Sequence, residues 1–315
     1  MSASLKKAES IGPAVQRVCR AHAGTALACL RNAKEPEAVH EARKEIKRLR
    51  AVFRLARGGM ARADFRKISK TMRLAAKPMA ALRDAQVKRQ ALETLAGKNA
   101  KRKFPDLSAA LETNFRQKRR EFERHDLAAV AKFILKTVRR QLADMKLKPS
   151  GSAKMEQGLK NSHRRCQNAW MVAARKPTPE NFHAWRQQVK NFWHQLQFFG
   201  PKGPARARAM MRKLETLAGE LGNDHDLVLL QQFAEEHCGQ TNETTGLNRL
   251  IDSRRKQLAA VIRNHGADLS AWTPREVGAR FKPHSKGRRR GIDFRNVALE
   301  FSIHAPPATS IITGA

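Results

Sequence analysis

The 315-residue chain has no tyrosine, and aromatic residues of all kinds make up only 6% of it. That scarcity argues against folds that recognise single-stranded nucleic acid by stacking bases on exposed rings. Cysteine is also sparse: Cys19, Cys29, Cys166 and Cys238 are scattered without CxxC spacing. Neither a disulfide framework nor a zinc site is expected, and the thiols read as reduced residues of a cytoplasmic protein. No run approaches the roughly 18 apolar residues that a membrane-spanning helix needs, so no membrane insertion is expected. The opening MSASLKKAES lacks the apolar core of a secretory signal. Walker-type glycine loops and HExxH are missing too. The largest deficit is in acid: 28 Asp and Glu stand against 63 Lys and Arg, a formal net charge of +35. About one uncompensated positive charge per nine residues opposes compaction unless a polyanion or counterions neutralise it. Nucleic acid, an anionic membrane surface and polyphosphate all meet that need. Composition does not choose among them.

What the chain does have is helical periodicity. Hydrophobic residues, 41% of the total, suffice for a globular core. They recur at three- and four-residue spacing almost throughout, and alternating strand patterns are hard to find before residue 290. Prolines at 13, 36, 78, 105, 149, 177, 201 and 204 divide the chain into pieces of helical length. The spacing predicts helices over 14–33, 36–57, 61–77, 79–97 and 106–146, then a break at LKPSGSAK. Further helices are predicted over 154–175, 179–199, 204–219, 224–238 and 244–265. From about 273 the pattern dissolves into basic FKPHSKGRRRGIDFR and aperiodic SIHAPPATSIITGA, a predicted disordered tail over 273–315. The expected fold class is all-α.

The two halves resemble each other. VHEARKEIKRLRAVFR from Val39 to Arg54 aligns without gaps on FHAWRQQVKNFWHQLQ from Phe182 to Gln197. His40 then falls on His183, Arg43 on Arg186, Ile46 on Val189 and Lys47 on Lys190. About 43 residues further on, LRDAQV and DHDLVL put Asp84 opposite Asp226. Two motifs in one order at nearly one separation indicate duplication, with a first repeat over 1–148 and a second over 149–272.

On a helical wheel, Val39, Ala42, Ile46, Leu49, Phe53 and Ala56 form one apolar stripe. His40, Arg43, Lys44, Lys47, Arg50, Arg54 and Arg57 form a band beside it. Like charges at i,i+4 repel by a few tenths of a kcal/mol per pair, so such a band suits an anion track better than an idle surface. The second half keeps His183, Arg186, Lys190 and His194 in the same sector. His40 and His183 admit three readings: histidines bonded to Asp84 and Asp226, phosphate ligands, or catalytic or metal-binding groups. Metal ligation would want a second His or carboxylate at i+3 or i+4, where Arg43, Lys44, Arg186 and Gln187 stand. Asp224, His225 and Asp226 are the one tight cluster with metal-ligand chemistry. Asp84 beside Arg83 suggests ion pairing with the basic helix.

The HxxRKxxKRLR run at 40–50, its weaker copy at 183–193, and the LRD and DHDL segments resemble the CHAD domain, the conserved histidine α-helical domain. The resemblance spans roughly 10–272. It implies two tandem four-helix-bundle repeats related by pseudo-twofold symmetry, with inorganic polyphosphate bound by basic side chains between them. Carried over residue by residue, the ligands are His40, Arg43, Lys44, Lys47, Arg48 and Arg50, then His183, Arg186 and Lys190. HRR at 163–165 is similar to the basic signature that opens the second repeat and adds Arg165. Gln187, Asn191 and Trp193 depart from the family's basic pattern. No ExExK signature of a triphosphate-tunnel domain is present, so the chain resembles the standalone form. The function expected is non-catalytic binding, without cofactor, in the cytoplasm or at polyphosphate granules. The rival readings are a module binding nucleic acid non-specifically and a metal-dependent polyphosphate hydrolase.

Overall fold

The structure, a computed structural model, describes residues 4–6, 9–147, 151–199 and 205–280. All of them lie within one compact unit, Met1–His284. Among the described residues the regular structure is wholly helical. In chain order it comprises α1 (Ile11–Cys29), α2 (Pro36–Leu55), α3 (Arg62–Ala76), α4 (Ala80–Ala96), α5 (Ala100–Lys103) and α6 (Pro105–Arg124). There follow α7 (Leu127–Ala143), α8 (Gly151–Arg175), α9 (Pro179–Phe199), α10 (Ala205–Cys238), α11 (Asn242–Ser270) and α12 (Pro274–Arg280). Pro36, Pro105, Pro179 and Pro274 each open a helix. There the missing N–H costs nothing and the fixed φ is already helical.

Three departures from the expected segments have local causes. The stretch 106–146 is two helices, because Asp126 adopts a left-handed φ of 38° and restarts the chain. Its carboxylate accepts from the Ala129 N–H at 3.2 Å, a capping bond that periodicity does not reveal. Conversely, 204–219 and 224–238 fuse into the single helix α10, which runs through Gly219 and Gly222 with neither in the positive-φ region. Leu214, Leu217, Leu221, Leu227 and Leu230 are buried along it, and that packing outweighs the ~1 kcal/mol each glycine costs. Past residue 273, α12 is helical: Thr273 and Glu276 bond each other's backbone N–H at 3.2 and 2.8 Å, and Val277 is buried. The rest of the expected tail, 281–315, lies outside the described residues.

Helix α2 packs against α1, α3, α4, α8 and α9, which makes it the hub. Its apolar stripe divides between two clusters. Leu49, Val52 and Phe53 join a core running from α1 through α8–α12, and Val39, Ala42 and Ile46 join one built with α1, α4, α6 and α7. In the larger cluster Trp185 is fully buried, with its ring 4.7 Å from that of Trp170. Trp185→Ala is expected to cost about 3–5 kcal/mol of unfolding free energy in urea titrations. A loss under 1 kcal/mol would show that α9 is not anchored here.

Candidate functional site

Val39, Ala42, Ile46, Leu49, Phe53 and Ala56 are each at most 2% exposed. Burying that stripe turns the basic band of α2 outward beside α9. Trp185, Val189, Phe192 and Leu196 do the same for α9. The two helices meet directly, and the Gln195 side chain donates to the Ala51 carbonyl at 3.2 Å. Helices α4 and α10 pack on each other and close the remaining sides.

A cavity of about 660 Å³ opens where these four helices meet. From α2 it is lined by His40, Arg43, Lys47, Arg50 and Arg54, and from α9 by His183, Arg186, Lys190 and His194. Arg83 and Asp84 enter from α4, and His225 and Asp226 from α10. A side chain on Gly222 would begin 3.7 Å from Lys190 Nζ and 3.9 Å from Arg186 Nε, so the bare backbone leaves the cations resting against α10.

The cations are poorly compensated. Arg43 Nη2 lies 4.0 Å from Asp84 Oδ1, at the limit of an ion pair. Arg43 Nη1 and Arg186 Nε are buried with no partner. An unsatisfied buried donor on a charged group costs more than the ~1–3 kcal/mol of a neutral one. Burial, reinforced by Arg186, Arg43 and Arg83, brings the Lys47 ammonium down to about 8. Burial, then Arg186 and Lys47, brings Lys190 down to about 7. Burial also lowers Arg43, Arg83 and Arg186. Asp226 is pushed upward by burial against the opposing pull of Arg186, Lys190, Arg83 and Lys47. The histidines stay neutral near pH 7: burial lowers His40 and His183, and takes His194 and His225 to about 4. They can offer N–H donors but not standing charge.

Other sequence-derived site residues lie elsewhere. Lys44 bonds Glu41 at 3.0 Å, and Arg48 bonds Glu45, which also holds His22 at 2.6 Å. Both are occupied by acids of their own helix and do not line the groove. Arg57 and Arg165 line a neighbouring cavity. Neither histidine bonds the aspartate suggested for it. His40 lies 4.0 Å from Glu41, while His183 Nδ1 meets His225 Nδ1 at 3.2 Å and its Nε2 meets Gln187 at 2.7 Å. The Asp224–His225–Asp226 cluster is dispersed. Asp224 accepts from Arg255 at 2.8 Å, His225 faces His183, and Asp226 faces the groove. Among the described residues, Glu37, His40 and Glu41 have ligand atoms within 4.8 Å of one another, on the first turns of α2 where Lys44 already holds Glu41.

The family profile of the CHAD domain matches residues 14–235. The chain belongs to the CHAD domain family. No curated protein matches it. Its fold is similar to the crystal structure of the CHAD domain from the plant Ricinus communis, with a TM-score of 0.61 at 18% identity over 87% of this chain and 96% of that one. It is likewise similar to PptA from Streptomyces chartreusis, with a TM-score of 0.61 at 15% identity over 82% of this chain and 98% of the other. In this CHAD domain, Arg83 and His225 line the groove although sequence reasoning left them out of the site. Their signal was present: each adjoins the aspartate whose alignment marked the second motif, and Arg83 shares a helical face with Val87, which also lines the groove.

Proposed function

We propose that this CHAD domain binds inorganic polyphosphate, without catalysis, in the groove between α2, α4, α9 and α10. We read the two halves of the chain as the repeats that supply its opposite walls, α2 and α4 from one, α9 and α10 from the other. The observation that carries the reading is the pair of buried, unpartnered guanidinium nitrogens, Arg43 Nη1 and Arg186 Nε, whose side chains line one groove together with Lys47 and Lys190. Donors and charges so placed call for a dense, flexible anion. Arg can fork onto phosphate oxygens and Lys supplies point charges, so a lined groove reads charge density rather than a base sequence. The family resemblance selects polyphosphate among the polyanions. A protein that holds such chains would gather at polyphosphate granules in the cytoplasm.

The test is a binding titration against long-chain polyphosphate, DNA, RNA and ATP at equal phosphate concentration. Polyphosphate is expected to win, with affinity falling about 10³–10⁵-fold between 50 and 200 mM salt for six to ten contacts, on the counterion law of nucleic acids. Displacement of polyphosphate by DNA or RNA would favour a nucleic-acid module instead. Replacing Arg43, Lys47 and Arg50 together by Ala is expected to weaken binding about a thousandfold at three charged hydrogen bonds lost, with the far-ultraviolet circular dichroism unchanged. Phosphate release from polyphosphate with Mg²⁺ or Mn²⁺, abolished by Asp226→Ala, would overturn the non-catalytic part.

A further inference from the structure

At the C-terminal end of α2 the cationic band passes out of the groove. A second cavity, of about 850 Å³, opens there between that end of α2, the start of α3, α8 and α9. Arg54 lines both cavities, and also a smaller one of about 160 Å³ that holds Arg50, Arg66 and Arg73. The remaining charges of the second cavity are Arg57, Arg62, Arg66, Lys154 and Arg165, and no Asp or Glu lines it. Two of these heads have partners on the cavity wall. Arg165 donates to Ser162 Oγ at 2.9 Å, and the Arg57 guanidinium sits 5.8 Å from the centre of the Phe65 ring. Burial, with Arg57 beside it, lowers Arg165, and burial with Arg50 and Arg165 brings Arg54 down to about 10.

Further features point to an occupant. Gln195, 1% exposed, lines the cavity with its Nε2 bonded to Ala51 and its Oε1 buried without a partner, an acceptor that a protonated terminal phosphate would satisfy. The floor is closed by α8 crossing the end of α2 at Gly158, where a Cβ would lie only 3.2 Å from the Leu55 carbonyl oxygen. Arg62 and Arg66 stand on the first turns of α3, whose dipole adds positive potential at that end. From His40 to Arg54 the band runs roughly 21 Å along α2 at the usual rise per residue, and Arg57 extends it on the 3-10 turn Ala56–Gly59 that follows.

We infer that this second cavity is a separate phosphate-chain subsite, filled by a short oligophosphate independently of the groove and spanned together with it by a long chain passing Arg54. The inference rests on the reading of the groove as a polyphosphate site. It assigns the ligand by length: a short chain occupies one cavity and a long one gains from both. Joining two sites on one flexible ligand commonly raises avidity by about 10²–10⁴.

Isothermal titration with inorganic triphosphate is expected to give two molecules bound per chain. A variant with Arg57→Ala, Lys154→Ala and Arg165→Ala is expected to bind one triphosphate, with the groove's affinity kept, and to bind long-chain polyphosphate roughly a hundredfold more weakly. A reciprocal variant with Arg43→Ala and Arg186→Ala is expected to keep one triphosphate, now in the second cavity. One triphosphate per chain in the parent, or two in the first variant, would overturn the second subsite and leave the groove standing. Failure of the parent to bind either phosphate would instead sink the groove reading. Circular dichroism of both variants separates lost binding from lost fold.

Discussion

A protein carrying Lys47→Met and Lys190→Met is expected to unfold at a temperature no lower than the parent's, and higher at low salt, yet to bind long-chain polyphosphate at least about a hundredfold more weakly. The two ammonium groups reach into one groove from α2 and α9, with Arg43, Arg83 and Arg186 around them. Each is lowered by burial and by its cationic neighbours. Without ligand, that arrangement is a cost to the fold, and methionine keeps the length of the side chain while removing the charge. With a phosphate chain in place, the same charges become favourable contacts. Stability and affinity therefore move in opposite directions, which a merely structural role for the lysines would not produce. A variant that loses stability and affinity together would show that the lysines act through packing.

The second large effect is on pH. Lys190 releases its proton at about 7 and Lys47 at about 8 in the empty groove. A polyanion alongside favours the ammonium form, so binding above pH 7 must draw protons from solvent. Affinity is expected to fall above about pH 7, by up to about tenfold per pH unit for each lysine above its own value. Between pH 6.5 and 9 the loss is expected to reach roughly a hundredfold or more. The internal phosphates of a long chain stay ionised throughout, so the change belongs to the protein. Stability of the free protein runs the other way. These lysines titrate lower folded than unfolded, so between pH 7 and the ordinary lysine range the unfolded chain holds more protons. Unfolding free energy therefore rises with pH across that window. His194 and His225, brought to about 4, extend the same sign downward, and stability falls as pH drops below about 6.5. Calorimetry in buffers of differing ionisation enthalpy would count the protons taken up. Zero uptake at pH 8 would contradict the crowded-groove account.

Periodicity made the helices and their buried faces legible, because a stripe of six apolar residues on α2 admits one packing face. The motif read twice in the sequence put Arg43 and Lys47 in correspondence with Arg186 and Lys190, and all four line one cavity. The breadth of the basic band did not follow. Lys44 and Arg48 each have a glutamate three residues earlier, and Glu41 and Glu45 take them out of the groove. That spacing was visible and is the better guide to which cations remain uncommitted. Arg83 was left out of the site because the second motif was read through its aspartate, Asp84, as an ion-pair partner of the basic helix. The aspartate is largely exposed and reaches Arg43 only at 4.0 Å, which leaves Arg83 to the groove. The restart at Asp126 and the continuity of α10 through two glycines were illegible for a shared reason. Each is decided by one capping bond or one packed face, beneath the reach of spacing alone.

The most direct measurement of the shared cradle is amine footprinting at pH 7.5. The neutral amine is the nucleophile, so Lys190 and Lys47 should acylate readily in the free protein. One equivalent of long-chain polyphosphate should then protect both together, at matching concentrations. Continued labelling of Lys47 and Lys190 under saturating polyphosphate, with protection falling on other lysines, would contradict the account.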